Sequence, residues 1–383
     1  MTKTLYETTK GVQSNLKNGH GMTNEIPEGT MKYLTWIYVS AFFILCMIPS
    51  VGMLFYSAEL SENRSLSEKP RFFTETGTLN ARYFDELQTY ISEHFAFRGE
   101  LVEADSRIKY ELFHTPCDNQ VVIGKDGWLF FGETLADYAG VTLTGAELDG
   151  IAQKLAEVRD YVRSQGKEPL FVIVPNKNSI YGEYMPKRFG SVAQVRNLTL
   201  LQERMDARNI PYVDAYRILL ANKEKGALYL HEDTHWNNTG ARLILNGIYA
   251  AYSIPERYDL SGYTLEESHE PDLYKMLFPA TQHYEQQRIY DDGRTYKYVG
   301  RLHSLDDMTI RTSSGDGSGK AVLVYRDSFG RAMIPYMAAS FDKAVFNRST
   351  PYNLSLVGQT ECDYVLFEIV ERNLGDLGRI EVP

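Results

Sequence analysis

The chain has 383 residues, and 40 Lys and Arg stand against 50 Asp and Glu for a formal net charge of −10. That length holds one large domain or two modest ones, and 43% hydrophobic with 23% charged residues is ordinary globular composition. No clustered basic stretch appears, which argues against nucleic acid as a partner.

Residues 1–32 are polar, rich in Gly, Asn, Thr and Lys, and are expected to form a disordered cytoplasmic tail. Residues 33–57 carry no charge and include Ile37, Phe42, Phe43, Ile44, Leu45, Met47, Ile48, Val51, Leu54 and Phe55, enough apolar length to span a bilayer. Pro49 and Gly52 are tolerated in such a helix. The preceding tail is too long for a signal-peptide n-region and no Ala-x-Ala site follows, so the expectation is one uncleaved signal anchor, with a buried core helix as the alternative. Lys10, Lys17 and Lys32 precede the span. Glu59, Glu62 and Glu68, mixed with Arg64 and Lys69, follow it. The positive-inside rule then places the N-terminus in the cytoplasm and the rest outside, on a single-pass cell-membrane protein.

Residues 58–120 read as a charged juxtamembrane linker and two helices, 79–95 and 98–113, from apolar spacing of three and four. Residues 121–383 form the main domain. Residues 121–123 and 128–131 around Gly124-Lys125-Asp126-Gly127 read as a hairpin, with Trp128 as packing. Thr144 and Glu147 make a capping box for a helix to about 165. Residues 170–174 are a continuous apolar strand, as in a sheet covered on both faces, ending in Pro175-Asn176-Lys177-Asn178. A helix at 198–208, a strand at 211–213 and a short strand at 227–230 follow. The polar turn His231-Glu232-Asp233-Thr234-His235-Trp236-Asn237-Asn238 leads to a helix at 241–252, capped by Asn237, Asn238 or Thr239. Residues 253–320 break the rhythm and read as a loop-rich insertion at the rim. A strand at 321–325 turns through Arg326-Asp327-Ser328-Phe329-Gly330 into a helix, and 345–347 and 364–370 are the last strands. This alternation predicts an α/β fold with a mainly parallel central sheet and helices on both faces. Cys46 lies in the span; Cys117 and Cys362 would share the outer side, and a bridge between them is left open.

Asp233 and His235 are two apart, so in an extended segment a carboxylate can orient an imidazole. Ser328 sits where a strand turns into a helix, with helix-start amides available for an oxyanion. A serine needs a base, and His235 is the candidate. Together they suggest an Asp233–His235–Ser328 triad. The bland alternative makes Asp233 and His235 capping or core residues and Ser328 a helix N-cap.

Asp233-Thr234-His235-Trp236, followed further on by Asp327-Ser328-Phe329, resembles the alginate O-acetyltransferase family of AlgJ and AlgX. The similarity runs from about Glu62 to the C-terminus. It includes Val174-Pro175-Asn176-Lys177 with Tyr181 and Pro186, Asp272-Leu273 with Met276-Leu277, and Glu371-Arg372. Arg326 departs from it, standing where the family commonly has a small residue. The resemblance implies an SGNH-hydrolase-like three-layer sandwich in permuted order. It also implies acetyl transfer to an exported or cell-surface polysaccharide through an acetyl-serine, and a membrane-bound O-acyltransferase as partner. No cofactor is expected.

On that reading Ser328 attacks the acetyl carbonyl, His235 moves the proton and Asp233 orients His235. The Ser328 N–H and a second donor, Asn176 being a candidate, bind the oxyanion. Trp236 stacks on sugar or packs the core; Lys177 and Tyr181 line the cleft or lie on the surface; Arg326 affects access to Ser328; Arg372 holds an anionic sugar or a structural carboxylate. Three rivals remain. His231, Asp233 and His235 form a His-x-Asp-x-His pattern that zinc accepts, although no metal is expected here. The same triad could release acetate to water as an esterase. The chain could also be a non-catalytic partner of the membrane transferase.

Overall fold

The computed structural model describes residues 28–53, 55, 67–74, 77–113, 120–255, 257–315 and 319–383. The chain divides into two units, 1–98 and 99–383. Residues 1–27 of the expected tail, most of the juxtamembrane linker and Cys117 lie outside the described residues, while residues 28–32 of that tail are helical.

In the first unit the apolar run forms the helix Glu28–Gly52. Its Lys32–Pro49 stretch is long and apolar enough to cross a membrane, and none of it is buried. The helix starts ahead of the charge-free run because backbone hydrogen bonding continues past the last apolar residue, and it ends at Gly52, three residues after Pro49. The helix expected at 79–95 forms over Tyr83–His94.

In the second unit, helix Arg98–Phe113 forms as expected, and β1 (Val121–Ile123) pairs antiparallel with β2 (Leu129–Phe131). The other strands are β3 (Glu168–Val174), β4 (Tyr212–Val213), β5 (Tyr263–His269), β6 (Glu285–Tyr290), β7 (Lys297–Tyr298), β8 (Thr309–Ser313), β9 (Ala321–Tyr325), β10 (Lys343–Asn347) and β11 (Tyr364–Val370). Seven form the main sheet in the order β4-β3-β11-β9-β10-β8-β7. The first five are parallel; β8 and β7 join antiparallel at one edge.

Strand residues alternate between two cores, as a period of two requires. Leu170, Val172 and Val174 of β3 and Val322 and Val324 of β9 pack on one side, with helices Asn238–Ala251 and Ile334–Ser340. Phe171, Ile173, Leu323, Tyr325, Phe367 and Ile369 pack on the other, with helices Gly145–Ser164 and Asn197–Ala207. Both faces are therefore buried, which is why β3 from Leu170 and β9 read as unbroken apolar runs and β11 as a run interrupted only by the buried Glu368. The result is the expected three-layer α/β sandwich, with the capping box of Thr144 and Glu147 in place.

Two expectations change. Residues 227–230 form no strand. Leu230 N–H donates to His235 O and Asn237 N–H to Leu228 O, so the segment folds back on itself, with one bridge between Tyr229 and Trp236. Leu230 N–H serves the loop and Leu228 N–H goes to the Tyr181 hydroxyl, so neither donor is left for a sheet. Residues 253–320, expected to be loop-rich, carry four strands and the helix Asp272–Leu277. β5 and β6 form a separate hairpin, while β7 and β8 extend the main sheet. In β8, Thr-Ile-Arg-Thr-Ser, burial alternates through Ile310 and Thr312 because only one face is covered, and with Ile310 its one apolar residue it shows no apolar run.

Helix Asn238–Ala251 rests directly on the folded loop. The Asn237 side chain caps it through Thr239 N–H at 3.0 Å and Gly240 N–H at 3.1 Å. A Cβ at Gly240 would lie 2.4 Å from Leu228 O and 3.3 Å from Trp236 Cβ. Gly240→Ala is expected to push helix and loop apart, cost about 2 kcal/mol and lower the melting temperature of the detergent-solubilised chain; an unchanged melting temperature would contradict this packing.

Candidate functional site

Because β3, β11 and β9 are parallel neighbours, their carboxyl ends deliver Pro175-Asn176, Glu371-Arg372 and Arg326-Asp327-Ser328 to one edge of the sheet. Ligands in open α/β sheets sit at this edge. Asp327 shapes the turn after β9. Its carboxylate accepts Phe329 N–H and Val370 N–H, each at 2.8 Å, so the turn is stapled to β11. Ser328 is left half-exposed while Asp327 and Phe329 are buried.

The folded loop brings its histidine to that serine. Trp236, 1% exposed, donates Nε1–H to Phe329 O at 2.8 Å and packs on the Phe329 ring. His235 Nε2 then lies 2.9 Å from Ser328 Oγ, and His235 Nδ1 lies 2.7 Å from Asp233 Oδ1. A carboxylate only accepts, so Nδ1 carries the proton and Nε2 is free to accept from the Ser328 hydroxyl. The His235 backbone N–H also donates to Asp233 Oδ1 at 2.7 Å, closing a tight turn around the carboxylate.

The other Asp233 oxygen holds groups that sequence reasoning did not assign. His269 Nε2 lies 2.8 Å from Asp233 Oδ2, and Asp272 N–H donates to the same atom at 2.8 Å. The Asp272 carboxylate in turn accepts Thr234 N–H at 2.7 Å and the Thr234 hydroxyl at 2.6 Å, and lies 3.6 Å from His235 Nδ1. Glu285 accepts His231 N–H at 2.5 Å and Glu232 N–H at 3.0 Å. All three residues come from the 253–320 stretch. The one sequence signal among them was Asp272, in the family-like Asp272-Leu273 pair.

Burial pushes the Asp233 carboxyl up, but the His235 and His269 imidazoles outweigh it and hold Asp233 well below the usual carboxylate range. Burial pushes His235 down, and the Asp233 and Asp272 carboxylates overcome this, so its imidazole is more basic than an ordinary histidine. Arg372 acts in the opposite direction on His235. Burial, then the Asp233 charge, pushes Asp272 up.

Five of the six proposed substrate contacts are structural in this geometry. Lys177 is buried; its Nζ donates to Leu230 O at 3.0 Å, His231 O at 2.9 Å and Asp233 O at 2.6 Å, with the rings of Phe130 and Trp128 beside it. Burial takes its ammonium down to about 8 against the pull of Asp233 and Glu285. Tyr181 stacks on Trp128 and its hydroxyl accepts Leu228 N–H at 2.9 Å, so it holds the root of the loop. Trp236 is core, not a sugar platform. Arg326 is 0% exposed and donates to Asp327 O at 3.1 Å and to Leu305 O, so it faces protein rather than substrate. Asn176 is also buried, with its amide donating to Asp137 and its N–H to Glu371. Arg372 alone of this group faces the site, its guanidinium 5.4 Å from the ring centres of both Phe131 and Phe329.

The metal pattern read from alternate residues does not assemble, because His231 turns away onto Trp128 with ring centres 4.3 Å apart. Ligand atoms of Asp233, His235 and Asp272 do lie within 4.8 Å of one another. However, Asp233 already accepts the backbone N–H and Nδ1–H of His235, His269 and Asp272 N–H, so its lone pairs are spent on hydrogen bonds.

The site is thus a Ser-His-Asp cluster at the carboxyl edge of a mainly parallel α/β sheet. Residues 121–277 match the family model described as the SGNH hydrolase-like domain of acetyltransferase AlgX. The probable alginate O-acetylase AlgJ of Pseudomonas aeruginosa is 24% identical over 221 residues, covering 56% of this chain and 55% of that protein. The AlgJ of Pseudomonas syringae pv. tomato is 26% identical over 188 residues, covering 49% and 46%. The chain thus matches about half the length of these relatives. A structure of Bacillus cereus PatB1 with a sulfonyl adduct superposes with a TM-score of 0.54 at 18% identity, covering 68% of this chain and 100% of that one. A DHHW family protein from Eubacterium siraeum gives a TM-score of 0.50 at 16% identity, covering 68% and 95%. The superpositions establish the fold. The sequence matches establish that the chain is similar to the alginate O-acetyltransferase family, as its Asp233-Thr234-His235-Trp236 motif implied.

The charges around His235 make a signed prediction. Asp272→Asn removes a charge that favours the imidazolium, so His235 should titrate at lower pH; Arg372→Gln removes an opposing charge, so it should titrate at higher pH. NMR of the His235 ring proton reads both, and shifts of the same sign in the two variants would overturn this electrostatic picture.

Proposed function

We propose that this domain is an O-acetyltransferase that acetylates hydroxyls of an exported or cell-surface polysaccharide through an acetyl-Ser328 intermediate. The observation that carries the reading is the relay of Ser328 Oγ 2.9 Å from His235 Nε2 with His235 Nδ1 2.7 Å from Asp233 Oδ1. The acetylase names of the AlgJ relatives supply the reaction class and the acceptor class.

Ser328 Oγ attacks the acetyl carbonyl while its proton passes to His235 Nε2. Among the described residues the Ser328 N–H donates to no protein acceptor, which leaves it for the tetrahedral oxyanion. The imidazolium, favoured by Asp233, returns the proton to the departing donor group. In the second half His235 takes a proton from the acceptor hydroxyl, that oxygen attacks the acetyl-serine, and Ser328 recovers its proton. The raised basicity of His235 suits both steps. Arg372, against Phe131 and Phe329 at the mouth, contacts the incoming chain. The donor is loaded by a membrane-bound O-acyltransferase, and the Glu28–Gly52 helix anchors the chain beside it with the catalytic domain outside. Acetate release to water by the same residues is the second reading, favoured by the half-exposed Ser328.

With p-nitrophenyl acetate, Ser328→Ala and His235→Ala should each lose nearly all turnover, and the double variant should be little worse because the residues act as a unit. Asp233→Ala should lose less, and chelator should change nothing. An oligosaccharide acceptor should gain acetyl in place of acetate release; full activity in Ser328→Ala would end the serine mechanism. For topology, protease added to cells with an opened outer envelope should degrade the region after the span, and complete protection would reverse the orientation.

A further inference from the structure

We infer that the helix Tyr83–His94 lies in the lipid–water interface beside the membrane span, with Phe84, Leu87 and Ile91 turned into the acyl region. The inference rests on the reading of Glu28–Gly52 as a span and goes beyond the proposed reaction.

No residue of this helix is buried, and Phe84 and Ile91 are 75% and 47% exposed. At about 100° per residue, Tyr83, Phe84, Leu87, Tyr90, Ile91 and Phe95 fall on one side with His94, whose ring stacks on Tyr90, while Asp85, Glu86, Thr89, Ser92 and Glu93 fall on the other. The polar side is partly occupied by the chain itself: Glu93 accepts Ser67 N–H at 2.8 Å and Glu86 accepts from the Asn80 amide at 2.8 Å. That contact leaves the apolar side facing outward. Phe72, 49% exposed, packs on Tyr83 with ring centres 5.0 Å apart and extends the same surface.

The span itself says what covers this face. A Cβ at Gly52, the last residue of the span helix, would lie 2.6 Å from Ala96 Cβ and 2.9 Å from the Phe97 ring. Residues just after the amphipathic helix are therefore pinned to the point where the span leaves the bilayer. Pro49 of the span lines one groove of about 530 Å³ together with Phe84, Leu87, Ile91 and Phe95, with Gln88 and Ser92 at its polar margin. A groove walled on one side by a membrane-spanning helix is filled by a lipid acyl chain. The acidic polar face carries no Lys or Arg, so apolar insertion rather than attraction to anionic headgroups holds the helix there.

The test uses the full chain in phosphatidylcholine nanodiscs with or without brominated acyl chains, in a Trp36→Phe background. Phe84→Trp and, independently, Ile91→Trp should lose fluorescence to brominated lipid beyond the background of that chain, and Thr89→Trp on the polar face should not. Adding phosphatidylglycerol should leave the loss unchanged. Equal quenching at all three positions, a requirement for anionic lipid, or shielding of Phe84→Trp and Ile91→Trp from both brominated lipid and aqueous acrylamide would overturn the inference, the last by showing that protein covers the face. Quenching of Trp36 in the unsubstituted chain tests the span separately.

Discussion

A buried ammonium organises the site. Lys177 leaves the carboxyl end of β3 and spends its donors on the carbonyls of Leu230, His231 and Asp233. Those carbonyls belong to a loop whose backbone turns inward, and only that of His231 also accepts from a strand, Leu129 N–H of β2 at 2.9 Å. Unpaired buried carbonyls are costly, and so is an unpaired buried charge; here each removes the cost of the other. The aromatic wall of Phe130 and Trp128 keeps water out of the arrangement. Had the loop been a strand, as its apolar run suggested, His235 would point along the sheet and not across to the turn after β9.

Asp233 is the second centre of gravity. Its four hydrogen bonds set the tautomer of His235, tie in the β5–β6 hairpin through His269 and fix the start of the Asp272–Leu277 helix. The carboxylate is buried, yet it stays ionised because imidazoles face both of its oxygens. The same constellation supplies Asp272 as a further negative charge near His235 and Arg372 as a positive one. The basicity of the proposed base is thus a balance among groups drawn from three separate parts of the chain.

The sheet provides the remaining constraint. β11 is the last strand in sequence but lies between β3 and β9. Its end carries Glu371 into a buried cluster with Arg196, Ser179 and Asn176, and Arg372 outward to the mouth of the site. Neighbouring residues of one strand end face opposite ways, which is why one is structural and the next meets the site.

Local rules were enough for much of this protein. Apolar runs covered on both faces marked β3, β9 and β11, the Thr144–Glu147 spacing marked a helix start, and a charge-free stretch marked the long apolar helix, because each depends on neighbours a few residues apart. The motifs Asp-x-His-Trp and Asp-Ser-Phe, each read from adjacent positions, singled out three polar residues that the fold brings within hydrogen-bonding distance. Tertiary structure decided the rest. It placed Lys177, Tyr181, Trp236 and Arg326 inside the protein, where polar and aromatic side chains serve backbone groups that no sequence pattern shows to be unsatisfied. It also recruited His269, Asp272 and Glu285 from a stretch that looked like loop, because a half-covered edge strand and a surface hairpin have no apolar run to announce them. Which long-range partner a buried carboxylate finds is set by where the chain crosses itself, and that information resides in the packing of distant segments.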